Sequence, residues 1–348
     1  MKYVSRKLAK LQAYDPGTVS TAIRLDSNES FLSLPETLRE SIADRITSVK
    51  FNRYPDPIGK SVCKAFGQYY NVDPQNITLG NGSDELIFLL FNTFLQKGDR
   101  ALLVNPDFSM YPIYCGMAEI DPITLKKNES LTFDPDELIS LAKKQHPKMV
   151  LFSNPCNPTS QGISAKDVLE IVDNLDCLVV IDEAYMDFWN EAIYQEAPKR
   201  KNCIVLKTLS KVGLASVRLG FAIANNQLSI YLRTAKSPYN VNTLTQIVGE
   251  TVLLESNYLH SATQQICASR DALYNALKPY NGPFMHVFPA HANFVTIQTL
   301  YAEKIQKKLR ERGISIRCIG QLLRITAGTL KENQILVNTF SSCIKEGL

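Results

Sequence analysis

The middle of the chain alternates short, nearly continuous apolar runs with segments of helical periodicity, and this alternation limits the possible folds more than any other feature. Continuous apolar runs are typical of strands that helices cover on both faces. Strands that alternate with helices indicate a largely parallel sheet with crossover helices. The predicted strands are NITLG (76–80), DRALLVN (99–105), KMVLFSN (148–154), CLVVIDE (177–183), NCIVLKT (202–208) and VRLGFAIA (217–224).

Helical segments lie between these strands, and the pattern changes after about residue 245. DELIFLLFNTFL (84–95) is a strongly apolar helix, and Ser164 is a plausible N-cap for the helix AKDVLEIVDNL. Long helices then precede a few further strands and a final helix from about residue 331. We therefore expect a large α/β domain over residues 40–245, and a smaller α+β domain built from residues 1–39 and 246–348.

The composition and charge pattern exclude several classes of protein. The 348 residues carry a net charge of +4, with acidic and basic residues interspersed, which disfavours a nucleic-acid-binding surface or a polybasic membrane patch. No apolar run approaches the roughly 20 residues that a bilayer requires. The start MKYVSRKLAKL lacks the apolar region of a signal peptide. We expect a cytoplasmic protein without nucleic-acid or membrane partners.

The cysteines and histidines suggest neither disulfides nor a metal site. Eight cysteines are scattered without a CxxC pair, several of them inside apolar runs, as reduced core thiols are. The four histidines lack the spacing of metal ligands. The sequence therefore predicts no bound metal.

Gly80-Asn81-Gly82-Ser83-Asp84 joins a predicted strand to a predicted helix. Two glycines allow a tight turn there, and the free N–H groups at the start of a helix attract an anion such as phosphate. A plain tight turn with Ser83 or Asp84 as N-cap explains the same residues, so this segment alone leaves both interpretations open.

Two further polar groups follow the ends of predicted strands. Asp182 ends an apolar run in IDEAY, and a poorly solvated carboxylate needs a cation or several donors to stay charged. Tyr185 could offer its hydroxyl to the same ligand, and Asn157 in NPCNPTSQG could offer an amide. Taken singly, Asp182 is explained as a helix cap and Asn157 as part of a proline-stiffened loop.

Lys211 in TLSK follows another apolar strand, and Arg218 lies seven residues later. A lysine in a partly desolvated pocket becomes a nucleophile that can form a Schiff base with an aldehyde. The arginine can bind a phosphate through two hydrogen bonds. Each alone is explained as a surface cation, but the whole set of strand-end groups supplies what pyridoxal 5'-phosphate (PLP) requires.

The order of the motifs resembles that of fold-type I PLP-dependent aminotransferases, and most of all the histidinol-phosphate aminotransferase group. The resemblance covers nearly the whole chain, and the order and spacing of the motifs carry it more than any single one. The matching motifs are LDSNES (25–30), NRYPDP (52–57), GNGSDELI (80–87), NPCNPT (154–159), IDEAY (181–185), TLSK (208–211), PYNVN (238–242), ANF (292–294) and LLRITAGT (322–329).

The resemblance implies a role for each candidate residue at the cofactor. Lys211 would bind C4' of the cofactor and move the proton between the substrate's Cα and C4'. Asp182 would pair with the ring nitrogen, Tyr185 and Asn157 would contact O3', and Phe108 would stack on the ring. The implied phosphate ligands are Ser83, Asp84, Ser210, Arg218 and, from the partner subunit of a homodimer, Tyr54.

The implied reaction transfers an amino group from a small amine donor to a 2-oxo acid, and the implied pair is histidinol phosphate with 2-oxoglutarate, in histidine biosynthesis. Alternatives are a threonine-phosphate decarboxylase, an aromatic amino acid aminotransferase and a non-catalytic PLP-binding protein. Regulators of this kind carry an added DNA-binding domain, for which we expect no room before residue 25. The residues implied to bind the substrate are Arg324, Arg317, Asn28 and Tyr14.

Three segments depart from the family pattern. The loop Asn157–Gly162 is longer than the usual Asn-Pro-Thr-Gly, one residue fewer than usual separates Lys211 from Arg218, and the segment from Arg317 to Arg324 is short. The last departure concerns the substrate's anionic group, so it keeps the decarboxylase and the aromatic aminotransferase open as alternatives.

Overall fold

The computed structural model describes Tyr3, Lys7 and residues 21–347. Two separate β-sheets and eleven α-helices make up this part of the chain. The strands are β1 (Ile23–Leu25), β2 (Ile77–Asn81), β3 (Arg100–Asn105), β4 (Asp121–Lys126), β5 (Met149–Ser153), β6 (Leu178–Asp182), β7 (Cys203–Thr208), β8 (Leu219–Ala224), β9 (Met285–Val287), β10 (Phe294–Thr299), β11 (Ile314–Ile319) and β12 (Leu322–Thr326).

The helices connect the strands and cover both sheets. None of them, within residues 21–347, is both long and apolar enough to cross a bilayer. They are α1 (Glu36–Thr47), α2 (Lys60–Tyr70), α3 (Gly82–Phe94), α4 (Met110–Ala118), α5 (Pro135–Gln145), α6 (Ala165–Asp173), α7 (Asn226–Ala235), α8 (Thr243–Leu254), α9 (Ser256–Leu277), α10 (Ala302–Glu311) and α11 (Leu330–Lys345).

The larger sheet has seven strands in the order β2-β8-β7-β6-β5-β3-β4. Neighbouring strands from β4 to β7 are parallel, while β8 is antiparallel to both β7 and β2. Every residue of β5, β7 and β8 is buried, because apolar side chains on both faces pack against helices. The continuous apolar runs therefore predicted the central strands correctly.

The structure corrects one predicted strand boundary in this sheet and adds one strand. β8 begins at Leu219, two residues later than predicted, because Arg218 has a left-handed backbone (φ +57°) that interrupts the strand. The edge strand β4 was not predicted: four of its six residues are exposed and a fifth is partly exposed, so it lacks a continuous apolar run. Ser164 does cap α6, since its Oγ accepts a hydrogen bond from the backbone N–H of Asp167 (3.2 Å).

The smaller sheet has five strands in the order β1-β11-β12-β10-β9. β1 is parallel to β11, and the other neighbours are antiparallel. Residues 23–25 thus join strands that come almost 300 residues later, and Leu25 packs in one core with Leu323 and Phe340. The predicted return of the N-terminal segment to the C-terminal region agrees with this pairing, while the domain limits at residues 40 and 245 stay a prediction.

Candidate active site

Two adjoining cavities lie between the larger sheet and the smaller one. The strand-end cavity has a volume of about 80 Å³, and its wall includes Ser83, Asp182, Ser210 and Arg218. The arginine cavity has a volume of about 420 Å³ and is lined by Arg317 and Arg324, among others. The residues that line both cavities are Asp84, Phe108, Asn157, Tyr185 and Lys211.

The topology of the larger sheet explains why distant motifs meet at the strand-end cavity. β5, β6 and β7 are adjacent and parallel, so their carboxyl ends lie at one edge, where open α/β sheets bind ligands. Asn157 follows β5, Asp182 ends β6 and Lys211 follows β7. A larger cleft of about 800 Å³ lies elsewhere and is lined by none of these three residues.

Asp182 is a buried carboxylate with two hydrogen-bond donors. The Tyr111 hydroxyl donates to its Oδ2 (2.9 Å) and the Ala184 backbone N–H donates to its Oδ1 (3.0 Å). Burial nevertheless raises the pKa of Asp182 to about 6, because desolvation outweighs the two hydrogen bonds. Within the described residues, no lysine, arginine or histidine forms an ion pair with it. A cation placed in the cavity would therefore stabilise the charged form.

Tyr111 is a residue of this site that the sequence analysis missed. It is only 1% exposed, and burial together with the charge of Asp182 raises the pKa of its phenol, which keeps the phenol a donor. Its position in the sequence could have identified it, because Tyr111 lies three residues after Phe108, in the segment that follows β3.

Lys211 lies in a tight turn, Ser210–Leu214, that directly follows β7. Thr208 fixes the start of this turn: its Oγ1 accepts from the Ser210 backbone N–H (3.2 Å) and lies 2.9 Å from the Ser210 hydroxyl. The Lys211 Nζ is 5.4 Å from the centre of the Tyr185 ring. The half-buried amine therefore faces the space between Tyr185 and the strand ends.

The turn before α3 is closely packed and forms a nest of backbone N–H groups. Gly82 has φ +76°, and a Cβ added there would lie 2.7 Å from Nη2 of Arg218. A Cβ on Gly220 would lie 2.6 Å from the Ser83 backbone nitrogen, so both positions require glycine. The first N–H groups of a helix have no partner within the helix, and they favour an anion.

The structure also changes the interpretation of the residues around this nest. The N-cap of α3 is Asn81, so the alternative that Ser83 or Asp84 caps this helix is wrong. The Asp84 carboxylate pairs with Arg218 (Oδ2 to Nη2, 3.4 Å). Because a carboxylate repels an anion, any contribution of Asp84 to anion binding comes from its backbone N–H.

The arginine cavity is walled by two arginines on neighbouring strands of the smaller sheet. Arg317 of β11 lies directly opposite Arg324 of β12, so both side chains are on one face. Arg324 is 8% exposed; its Nη1 donates to Asn157 Oδ1 (2.6 Å) and its Nη2 donates to the Asp26 carbonyl. Like charges opposite each other destabilise a sheet, so an anion between them would stabilise this pair.

Asn28 lines the arginine cavity and contacts Tyr185, which lines both cavities. Its side chain is 1% exposed, and its Nδ2 donates to the Tyr185 hydroxyl (2.8 Å). The loop that departs from the family pattern holds the smaller sheet in place, because Ser160 Oγ accepts from the backbone N–H groups of His291 (2.9 Å) and Ala292 (2.8 Å). Asn157 at the start of this loop still lines both cavities.

One predicted site residue, Tyr54, is not brought into the cavities by this chain. Tyr54 is 81% exposed and stacks on Tyr239, with 4.6 Å between ring centres, and it lines neither cavity. Tyr14 lies outside the described residues. Phe108 does line both cavities, where its ring packs edge-on against Tyr111. Within residues 21–347, no group of three or more His, Cys, Asp or Glu is placed to hold a metal ion.

Comparison with known proteins identifies the family. Residues 20–340 match the model for aminotransferase class I and II. The histidinol-phosphate aminotransferase of Clostridium novyi is 35% identical over 346 residues, which cover 98% of this chain and 96% of that protein.

Solved structures share the fold over almost the whole length. Histidinol-phosphate aminotransferase from Sinorhizobium meliloti, solved in complex with PLP, has a TM-score of 0.91 at 20% identity and covers 99% of this chain and 98% of its own. L-threonine-O-3-phosphate decarboxylase from Porphyromonas gingivalis has a TM-score of 0.80 at 20% identity, over 93% and 99% of the two chains. The predicted fold type is confirmed, and the chain belongs to the class I and II aminotransferase family.

Proposed function

We propose that the protein is a PLP-dependent aminotransferase that acts on histidinol phosphate and 2-oxoglutarate, in histidine biosynthesis. The observation that carries this proposal is the pair of opposed arginines, Arg317 and Arg324, in a cavity that also contains Lys211. One wall offers a nucleophilic amine, and the other offers cations for a doubly charged substrate.

The residues of the strand-end cavity fit PLP. The buried Asp182 carboxylate, whose pKa is raised to about 6 by burial, favours a protonated ring nitrogen beside it. The N–H groups at the start of α3, with Ser83, Ser210 and Arg218, suit a phosphate. Tyr185 and Asn157 supply donors for the ring oxygen.

PLP, when bound, supplies an electron sink for the charge left when a proton leaves the substrate's Cα. The chain's own groups do the rest. Lys211 Nζ would take up the proton that leaves the substrate's Cα, Asp182 would favour a protonated ring nitrogen beside it, and Arg324 would orient the substrate through its anionic group. The contact from Arg324 to Asn157 links the substrate anchor to the cofactor wall.

Substrate choice rests on the anionic groups. Histidinol phosphate carries a phosphate and 2-oxoglutarate carries two carboxylates, so each can engage planar guanidinium groups. The similarity to the Clostridium novyi enzyme, which covers nearly both chains, supports this pair. The decarboxylase from Porphyromonas gingivalis shares the fold and also takes a phosphorylated substrate, so a lyase activity is the alternative that needs a direct test.

A panel of amino donors tests the proposal. Purified protein with PLP is given histidinol phosphate, threonine phosphate, phenylalanine or glutamate, each with and without 2-oxoglutarate, and glutamate and CO₂ are measured. We expect glutamate to form with histidinol phosphate at a kcat/KM at least about 100-fold above that with phenylalanine. Release of CO₂ from threonine phosphate without consumption of 2-oxoglutarate would replace this proposal with the decarboxylase.

We further propose that the active form is a homodimer in which Tyr54 reaches the phosphate site of the partner subunit. Tyr54 and Tyr239 stack on each other at the surface, and Phe51 (74% exposed), Ile58 and Leu244, a few residues away from them in the chain, are exposed as well. Exposed apolar residues in such a group are typical of an interaction surface. The free cysteines support the predicted cytoplasmic location.

Mixed dimers test the role of Tyr54. We expect Lys211→Ala homodimers to be inactive, and Tyr54→Ala homodimers to be nearly so when PLP is kept below their raised dissociation constant. If Tyr54 crosses the interface, a random mixture regains about a quarter of the wild-type activity, because half of the dimers carry one intact site. No recovery, with mixed dimers present by mass spectrometry, would place Tyr54 in its own subunit's site.

A further inference from the structure

A buried hydrogen-bond relay connects the smaller sheet to Tyr185. Thr326, 2% exposed, lies on β12 two residues after Arg324, and its Oγ1 accepts from the Asn28 backbone N–H (3.0 Å). The same hydroxyl donates to Asn28 Oδ1 (3.1 Å). Asn28 Nδ2 then donates to Tyr185 Oη (2.8 Å). Three side chains far apart in sequence thus form one chain of hydrogen bonds.

The backbone of Asn28 is held as firmly as its side chain. Its φ of +54° is left-handed, a conformation that asparagine adopts more readily than most residues. Asn293 Nδ2 donates to the Asn28 carbonyl (3.1 Å), and the Ala327 N–H donates to the Asn293 carbonyl (3.0 Å). Both ends of the Asn28 peptide are therefore tied to the smaller sheet.

The hydrogen bonds between the side chains of the relay run from Thr326 toward Tyr185, because each group has a fixed number of protons to donate. The Thr326 hydroxyl gives its one proton to Asn28 Oδ1, so the amide presents its NH₂ group, which cannot accept, to Tyr185. The phenol proton of Tyr185 must then point elsewhere, and the ring lines both cavities. Donation to the phenol oxygen also polarises its O–H bond and makes it a stronger donor.

We propose that Thr326, acting through Asn28, is a positioning residue that keeps Tyr185 a hydrogen-bond donor into the cavity. The inference rests on the proposed function, in which the acceptor is the ring oxygen of PLP. It also gives the smaller sheet, which carries the substrate arginine, a second connection to the cofactor, separate from the contact between Arg324 and Asn157.

Loss of the Thr326 hydroxyl frees the Asn28 amide to turn its Oδ1 toward Tyr185 and accept the phenol proton. The cofactor then loses a donor. Because a donated hydrogen bond stabilises negative charge on the ring oxygen and favours the less protonated form, its loss raises the pH midpoint of the visible absorbance change. A lost hydrogen bond of ordinary strength also raises the dissociation constant for PLP about fivefold.

The test compares Thr326→Val with Thr326→Ser, and uses Thr299→Val as the matched control. Thr299 is a buried threonine of the same sheet (3% exposed) whose hydroxyl donates to the Phe284 carbonyl (2.8 Å), away from Asn28. The measurements are the PLP dissociation constant and the pH midpoint of its visible absorbance. We expect both to rise in Thr326→Val and to stay within about twofold and about 0.2 pH units of wild type in the other two.

Asn28→Asp provides a second route if Thr326→Val does not fold, because aspartate tolerates the same backbone but cannot donate to Tyr185. It should raise both quantities as well. Unchanged values in Asn28→Asp, or a Thr326→Val variant that behaves like Thr299→Val, would overturn the inference while leaving the proposed function intact. A wild-type chain that binds no PLP would overturn both.

Discussion

The two walls of the active site are built in opposite ways. On the larger sheet, Asn157, Asp182 and Lys211 lie at or just after the ends of parallel strands, and adjacent strands bring them together. On the smaller sheet, Arg317 and Arg324 are brought together by antiparallel pairing, and Asn28 arrives from the other end of the chain. The first wall is built from the ends of adjacent parallel strands, whereas the second also needs a residue from the other end of the chain. We therefore assign covalent and proton chemistry to the first wall, and substrate choice to the second.

The largest effect should come from the first wall, at Lys211. Replacement by alanine removes the amine that moves the proton, so we expect kcat to fall by about 10³-fold or more. The visible absorbance near about 410–430 nm should also be lost. Lys64→Ala, an exposed lysine on α2, is the control and should stay active. Activity within tenfold of wild type in Lys211→Ala would contradict the assignment of proton transfer to this wall.

A smaller effect, with a different signature, should come from Arg324 of the second wall. Lysine keeps the charge but cannot reproduce the two contacts to Asn157 and the Asp26 carbonyl. We expect Arg324→Lys to lower kcat/KM for histidinol phosphate about 100-fold, while the dissociation constant for PLP changes less than about threefold. Arg310→Lys, on the exposed face of α10, is the control. Equal losses in the affinity for PLP and in kcat/KM for histidinol phosphate would mean that cofactor binding and substrate binding are not assigned to separate walls.

We expect the buried charge of Asp182, in the first wall, to lower the free energy of unfolding of the cofactor-free protein. Its pKa is raised from 3.8 to about 6 in the folded protein, so the folded state binds more protons and stability falls as pH rises between these values. Removing the charge in Asp182→Asn should increase the free energy of unfolding by about 3 kcal/mol at pH 7. The gain should vanish below about pH 4.

Chemical denaturation of the cofactor-free proteins at pH 4 and pH 7 measures this difference. Asp44→Asn, on the exposed face of α1, is the control, with an expected change below about 0.5 kcal/mol. With PLP present the order should reverse, because the variant has lost the partner of the ring nitrogen. If Asp182→Asn is no more stable than wild type at pH 7, burial of this carboxylate does not destabilise the folded protein.

The smallest effect is expected at Arg218, which is half-exposed and already paired with Asp84. Arg218→Gln should raise the dissociation constant for PLP about tenfold, because one charged phosphate ligand is lost while the N–H groups of α3 remain. KM for histidinol phosphate should change less than about twofold. A change in KM without a change in PLP binding would move Arg218 from the first wall to the second.

Most of the first wall could be predicted from the sequence, and the reason is geometric. Parallel strands place their carboxyl ends at one edge, so residues that follow apolar runs meet there whatever the details of packing. Asn157, Asp182, Tyr185 and Lys211 were predicted to lie at this edge, and all four line the strand-end cavity. The predicted start of β8 was two residues too early. The cause lies in one residue, because the left-handed backbone of Arg218, just before the strand, leaves no pattern in the apolar runs.

The sequence by itself thus determined the layered α/β fold, the strand-end groups and, through the order of its motifs, the family. Only the tertiary structure decided that Tyr111 donates to Asp182, that Arg317 lies opposite Arg324, and that Thr326 directs Asn28 toward Tyr185. These contacts join residues from 7 to 298 positions apart in the chain. Short-range periodicity carries no information on such pairs, because strand pairing, the return of the N-terminal segment to the smaller sheet and the burial of polar groups decide which residues meet.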